Sequence, residues 1–322
     1  MTHYPYFSSV DIQPKTPYDF ARKRGVLSNH KDMTAAVQTQ LVKGYTYIMP
    51  VKRIMGIDIN YEDGGEGHPI VLIHGLTSTL RMWDEQMPAL LSKYRVVRYD
   101  CRGHGETESP SDPSAYSQEI FIDDALGLLD GLGLEKVYLC GLSMGGNIAL
   151  NLALRHPDRV EAMIVASTGA GSKKDDGTVD GFKIAADILG KGDLKRFTEA
   201  MMTSPLFEPF LKKRPDLVEV TKENLLSCNA MGLANTIRGV QLKRSSIMDL
   251  GEKLRDLNVP TLILVGDKDT ACLEPAEFMN QHMPRSKLVV FSKTGHIVNR
   301  ERPEDFTREV MDFLNGMESS EI

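Results

Sequence analysis

The chain has 322 residues and a net charge of −6, with 41% hydrophobic and 25% charged residues. This is ordinary globular composition, long enough for one large domain with an insertion or for two small domains. The acidic balance leaves no basic footprint for nucleic acid, the longest apolar runs are strand-sized and too short to span a membrane, and the N-terminus lacks the charged and apolar stretches of a secretion signal. The four cysteines (Cys101, Cys140, Cys228 and Cys272) have no paired spacing. They read as reduced thiols of a cytoplasmic protein, with neither a disulfide nor a zinc site.

In chain order, residues 1–45 read as a polar N-terminal extension rich in Tyr, Pro and Lys, with one helix expected over Asp32–Leu41. Its plain reading is a loosely packed arm. The sharper one is an arm that wraps the lid or a neighbouring subunit of a homo-oligomer. The core is expected over 46–168 and 259–322. It opens with strands at Thr46–Met55 and Ile57–Glu62. Strands at Ile70–His74, Arg95–Tyr99, Val137–Cys140, Val160–Ser167, Thr261–Val265 and Leu288–Phe291 follow. Between them lie helical patterns near Met82–Leu91, Ser117–Leu132, Gly146–Arg155 and Glu274–His282, with a last one near Pro303–Met317. Apolar strands alternating with helices predict a mostly parallel sheet covered on both faces, with ligands bound beyond the carboxyl ends of its strands. Over residues 169–258 the alternation stops and only helical patterns remain. They fall near Gly181–Leu189, Leu194–Met202, Pro205–Lys213, Leu217–Met231 and Leu233–Gln241. This reads as a helical cap that excludes water and shapes specificity. Its Met201, Met202, Phe207, Met231 and Met248 suit helix packing or an adaptable apolar pocket. Arg238 is placed on a solvated helix face, with contact to an anionic substrate group as the alternative.

The most informative stretch is Val137–Leu150. An apolar run ends in Gly141-Leu142-Ser143-Met144-Gly145, and a helical run begins at once. A strand-to-helix turn this tight excludes side chains two before and two after the serine, where the chain has Gly141 and Gly145. It also holds the Ser143 hydroxyl outward beside a helix N-terminus. A serine nucleophile needs a base, and the base an orienting carboxylate. Of eight histidines, His296 alone follows a late strand and a turn that can carry it over the strand ends. The strand Pro260–Val265 ends at Gly266 with two carboxylates, Asp267 and Asp269. One of them accepts the imidazole hydrogen bond, and Asp269 is the preferred candidate.

Four ordered motifs now resemble one superfamily. They are His74-Gly75-Leu76-Thr77 after a strand, Tyr99-Asp-Cys-Arg-Gly-His-Gly105 after the next, the serine turn, and Asp269 with Thr294-Gly-His296. The chain is similar to enzymes of the α/β-hydrolase fold, whose triad follows the order serine, acid, histidine. The resemblance implies an oxyanion hole made by the backbone N–H groups of Met144 and Leu76. It also implies that His74, Arg102 and His104 knit loops together, and that Trp83 packs as a wall.

The expected activity is hydrolysis of a small carboxylic ester through an acyl-enzyme, with no metal or organic cofactor. Enol-lactones and carbon–carbon bonds of ring-cleavage products are the nearest alternatives. A lyase or a small-molecule receptor on the same fold lies further off.

Overall fold

In a computed structural model of the chain, the described residues are 37–42, 45–171 and 178–319. Among them, nine strands form a single sheet: β1 (Val37–Val42), β2 (Tyr45–Ile54), β3 (Ile57–Gly64), β4 (Pro69–Ile73), β5 (Arg95–Tyr99), β6 (Val137–Leu142), β7 (Val160–Ala166), β8 (Thr261–Gly266) and β9 (Ser286–Phe291). Their order is β1-β2-β3-β5-β4-β6-β7-β8-β9. The pairs from β1 to β5 are antiparallel, and those from β5 through β4 to β9 are parallel. The chain runs from β4 outward to β5 and then crosses back to β6 on the other side. This reversal opens a crevice at the carboxyl ends of β4 and β6, where open α/β sheets bind ligands.

Side chains alternate across each parallel strand and feed two apolar layers. Val71 and Ile73 face one layer with Leu139, Ile263 and Val265, while Ile70 and Leu72 face the other with Tyr138, Leu262 and Leu264. The first layer is closed by helices Gln118–Gly131, Met144–Arg155 and Thr270–His282. The second is closed by Trp83, by helix Met87–Leu91 and by helix Pro303–Ser319, which turns Phe306, Val310 and Leu314 inward at four-residue spacing. Trp83 is fully buried against Phe306. A third apolar cluster belongs to the helices between β7 and β8, with Phe197, Phe210, Leu225, Leu233 and Ile237 at its centre and Ile297 reaching into it from the sheet end. No helix among the described residues is long and apolar enough to cross a membrane.

Three local expectations are overturned. The helix expected over Asp32–Leu41 is a strand where the structure describes it. Val37–Val42 pairs with β2, so the sheet begins inside the segment assigned to the N-terminal extension; the rest of that helix lies outside the described residues. Val-Gln-Thr-Gln-Leu-Val alternates with a period of two, a pattern suited to a sheet edge. The helix expected over Met82–Leu91 splits into a 3₁₀ turn, Leu80–Trp83, and helix Met87–Leu91. Pro88 has no N–H and its ring crowds the preceding turn, so it is tolerated only in a first turn. The helix expected over Leu217–Met231 stops at Leu226, and a new one starts at Ala230 because Asn229 caps it, accepting from the Gly232 N–H at 2.8 Å.

The turns after β4 and β6 touch through backbone. A Cβ at Gly145 would stand 2.1 Å from the Ile73 carbonyl oxygen, and one at Gly141 would stand 2.2 Å from the Gly145 oxygen. Gly145→Ala is therefore expected to destabilise the fold by about 3 kcal/mol, the upper range for overpacking. Gly316→Ala, in the last helix with nothing within 4 Å of a new Cβ, is expected to stabilise by about 1 kcal/mol. Thermal melting of the two variants checks the contrast; equal midpoints would refute the close approach.

Candidate active site

Ser143 sits between β6 and helix Met144–Arg155 with φ 57° and ψ −113°, a left-handed conformation rare outside glycine. Its N–H donates to the Ala166 carbonyl at 2.8 Å, which ties the turn to β7. Met144 is the first residue of the helix, so its N–H precedes the intrahelical ladder. Across the crevice, the Gly75 N–H donates to the Met82 sulfur at 3.4 Å, and Thr77 turns back with φ 62°. Between them, Leu76 faces the cavity. A Cβ at Gly75 would lie 3.4 Å from the Ser143 Cβ, so the two loops meet at the serine.

His296 stands on the loop after β9. Its Nδ1 lies 2.8 Å from Asp269 Oδ2, and the Asp269 side chain is almost fully buried. A carboxylate can only accept, so Nδ1 carries the proton and Nε2 is left with its lone pair. Burial on its own would push the Asp269 carboxyl up; the facing His296, then Cys272 and Ser167, bring it below the usual carboxylate value. Asp267 does a different job. It accepts from the Thr294 N–H at 3.1 Å and pins the turn before His296. Of the two candidate acids, the structure brings Asp269 to the imidazole.

Sequence reasoning missed several supports of this loop. Buried Glu301 accepts from the Gly295 N–H through both oxygens, at 3.1 and 3.0 Å, and pairs with Lys213 from the overlying helices at 2.5 Å. Asn299 donates to the Met82 carbonyl at 2.9 Å. The only sequence signal for Glu301 is a charged residue in a short helix after the histidine. Cys272, which the sequence presents only as one of four reduced thiols, has its Sγ 3.7 Å from His296 Nδ1. Ligand atoms of Asp269, Cys272 and His296 lie within 4.8 Å of one another. They suit a metal poorly: His296 Nδ1 is committed to Asp269, and burial, then Asp269, holds the Cys272 thiol far above its usual range. A thiolate ligand is thereby disfavoured.

His74 is fully buried. The Cys101 N–H donates to its Nε2 at 2.9 Å, so its proton is on Nδ1, which donates to the Gly75 carbonyl at 2.7 Å. Burial lowers it to about 4, so it stays neutral and braces the Leu76 loop. His104 is likewise buried and lowered to about 3. Arg102 grips Asp124 with two hydrogen bonds of 2.8 and 2.7 Å. All three knit loops together, and none of them lines the cavity.

Ser143, His296 and Leu76 open onto one cavity of about 640 Å³, roofed by the helices between β7 and β8. Phe182, Ile188, Phe197, Met201, Phe207 and Phe210 give it an apolar lining. Of the other methionines singled out, Met202 packs within the cap cluster and Met231 is exposed. Arg238 donates to the Ala186 carbonyl at 2.9 Å and faces Asp187, outside the cavity lining.

Asp269→Asn is expected to lower turnover of any ester the wild type accepts by about four orders of magnitude, by losing the correct imidazole tautomer. Asp267→Asn is expected to stay within about tenfold, since it only weakens the backbone hydrogen bonds that pin the turn before His296. The reverse ranking in steady-state assays would overturn the assignment. Because the folded Asp269 carboxyl is held below its unfolded value, it adds stability above that value and loses it as pH falls through the folded one. Asp269→Asn should therefore flatten the fall of Tm with acid below about pH 4.

Comparison with known proteins agrees with this geometry. The profile of the α/β-hydrolase fold family matches residues 68–303. 3-Oxoadipate enol-lactonase 1 of Acinetobacter baylyi is 31% identical over 268 residues, covering 83% of this chain and 95% of the relative. 2-Hydroxymuconate semialdehyde hydrolase of Pseudomonas sp. is 29% identical over 275 residues, covering 83% of this chain and 94% of the relative. A solved thermophilic esterase from Thermogutta terrifontis superposes with a TM-score of 0.74 at 29% identity, over 88% of this chain and 99% of that one. With two sheet turns meeting at a strained serine, and a histidine on the same cavity paired with a carboxylate behind it, the chain belongs to the α/β-hydrolase fold family.

Proposed function

We propose that the protein is a serine hydrolase that cleaves a small carboxylic ester through Ser143, His296 and Asp269. The observation that carries this reading is the strained Ser143 opening onto the same cavity as His296, whose Nδ1 is 2.8 Å from Asp269. His296 Nε2 takes the Ser143 proton as Oγ attacks the carbonyl carbon. The N–H groups of Leu76 and Met144 hold the oxyanion. The imidazolium, steadied by Asp269, protonates the departing alkoxide, and water repeats the cycle on the acyl-enzyme. No step calls for a metal or organic cofactor. The apolar roof keeps bulk water away until the leaving group departs.

An enol-lactone is a cyclic ester, so the enol-lactonase and esterase likenesses both support acyl chemistry. The second reading, hydrolysis of a carbon–carbon bond, draws on the relative named for a semialdehyde, a substrate class without an ester link. It would use the same oxyanion contacts on a ketone carbonyl.

The test is hydrolysis of a chain-length series of p-nitrophenyl esters by wild type and Ser143→Ala. Wild type is expected to release nitrophenolate, and the variant to lose at least about 10⁴-fold. Equal release from both would sink the serine mechanism. No release from either would favour the carbon–carbon reading.

A further inference from the structure

The cavity lining holds two guanidinium groups and, among the described residues, no carboxylate. One of them, Arg300, has a counter-charge: its Nε lies 3.8 Å from Glu85, and it sits over the Phe210 ring. The other, Arg244, lies on the return from the overlying helices to the sheet, in the wall between the cavity and a surface groove beside Asn147. Its Nε and Nη1 are shut off from solvent and have no hydrogen-bond partner among the described residues. Burial lowers this guanidinium to about 10, so it remains a cation at neutral pH. Cys272, whose Sγ lies 3.7 Å from His296 Nδ1, lines the same cavity. Cys272 is not its counter-ion, because burial keeps that thiol protonated. Arg244 as a whole is half-buried, but two shut-off donors of a cation left unmet are costly unless an anion completes them. The guanidinium fork matches a carboxylate in two parallel hydrogen bonds.

We propose that Arg244 receives an ionised carboxylate of the substrate, so that the ester or lactone cleaved here carries a second, free acid group. This deepens the serine-hydrolase reading and rests on it. The rest of the substrate lies against Phe182, Ile188, Phe197 and Met201, which suits an apolar chain or ring between the two carbonyl groups. Arg244 acts in binding and takes no part in bond making.

The experiment compares mono-p-nitrophenyl esters of straight-chain dicarboxylic acids with neutral p-nitrophenyl alkanoates of matched length. The readout is the ratio of kcat/KM for acid over neutral ester in wild type, Arg244→Met and Arg244→Lys. The wild-type ratio is expected to exceed that of Arg244→Met by about tenfold or more, because the missing carboxylate leaves buried donors unpaired. Arg244→Lys, with charge but no fork, should fall between. A ratio near unity in wild type, or one unchanged by Arg244→Met, would overturn the proposal. Should Arg244→Met fail to fold, Arg244→Gln carries the same comparison. If wild type hydrolyses neither series, the ester reading has failed, and the anchor is judged separately by titrating glutarate, adipate and pimelate into Ser143→Ala with and without Arg244→Met. Binding weakened about tenfold by the second change supports the anchor; equal or absent binding in both refutes it.

Discussion

The close approach of two backbone turns at the ends of β4 and β6 governs this molecule. The Ile73 carbonyl and the Gly145 backbone occupy the space where a side chain would otherwise stand. The chain can pass there only by leaving β6 abruptly, and Ser143 absorbs the change with a positive φ. Such a conformation costs about 1–3 kcal/mol and persists only where the surroundings over-determine it. Here β6 is fully buried between β4 and β7, and the Ser143 N–H is held by β7. The strain is therefore carried by the stiffest part of the sheet.

The loops around that point are stiffened by polar groups rather than by packing. Asp100, at the end of β5, accepts from the Leu80 N–H, the Asn60 amide and the Glu106 N–H at 2.7, 2.8 and 3.0 Å. Arg98 joins Glu62 and the Leu80 carbonyl just below it. Through His74, this network reaches the loop that presents Leu76. Asp267 and Glu301 do the equivalent for the loop that presents His296. Hydrogen-bonded networks of this kind specify geometry more than they add stability. An oxyanion site needs that kind of precision, since its donors must be aimed before charge develops.

The parts of the fold governed by local pattern were legible in the sequence. The parallel strands read as apolar runs because both faces are covered, and the two glycines flanking Ser143 announced the turn. The order of serine, acid and histidine followed from which strand ends carry reactive groups. Asp269 could be preferred over Asp267 but not separated from it, because both leave β8 within three residues and only the path of the loop decides. The breaks in the expected helices were harder to see. Pro88 acts through its missing N–H and its ring, and Asn229 through a single hydrogen bond, neither of which a hydrophobic period records. Arg244 was invisible for a different reason. An arginine between two short helical turns looks like any solvated residue until the fold removes its partners, whereas Arg238, which looked the better candidate, spends its guanidinium on Ala186 and Asp187.

This separation has a consequence for how the site divides its labour. The proposed triad and oxyanion groups hang from the carboxyl ends of the sheet, while Arg244 sits between the turns Ile237–Gln241 and Ile247–Leu250, on the chain returning from the overlying helices. A contact made there is present in the bound substrate and in the transition state alike, so by itself it strengthens binding uniformly. It raises the rate of chemistry only by fixing where the scissile carbonyl lies relative to Ser143. On the proposed reading the carboxyl ends of the sheet carry the chemistry and the segment returning from the apolar roof reads the substrate's charge, so specificity can change without disturbing the strained turn at Ser143.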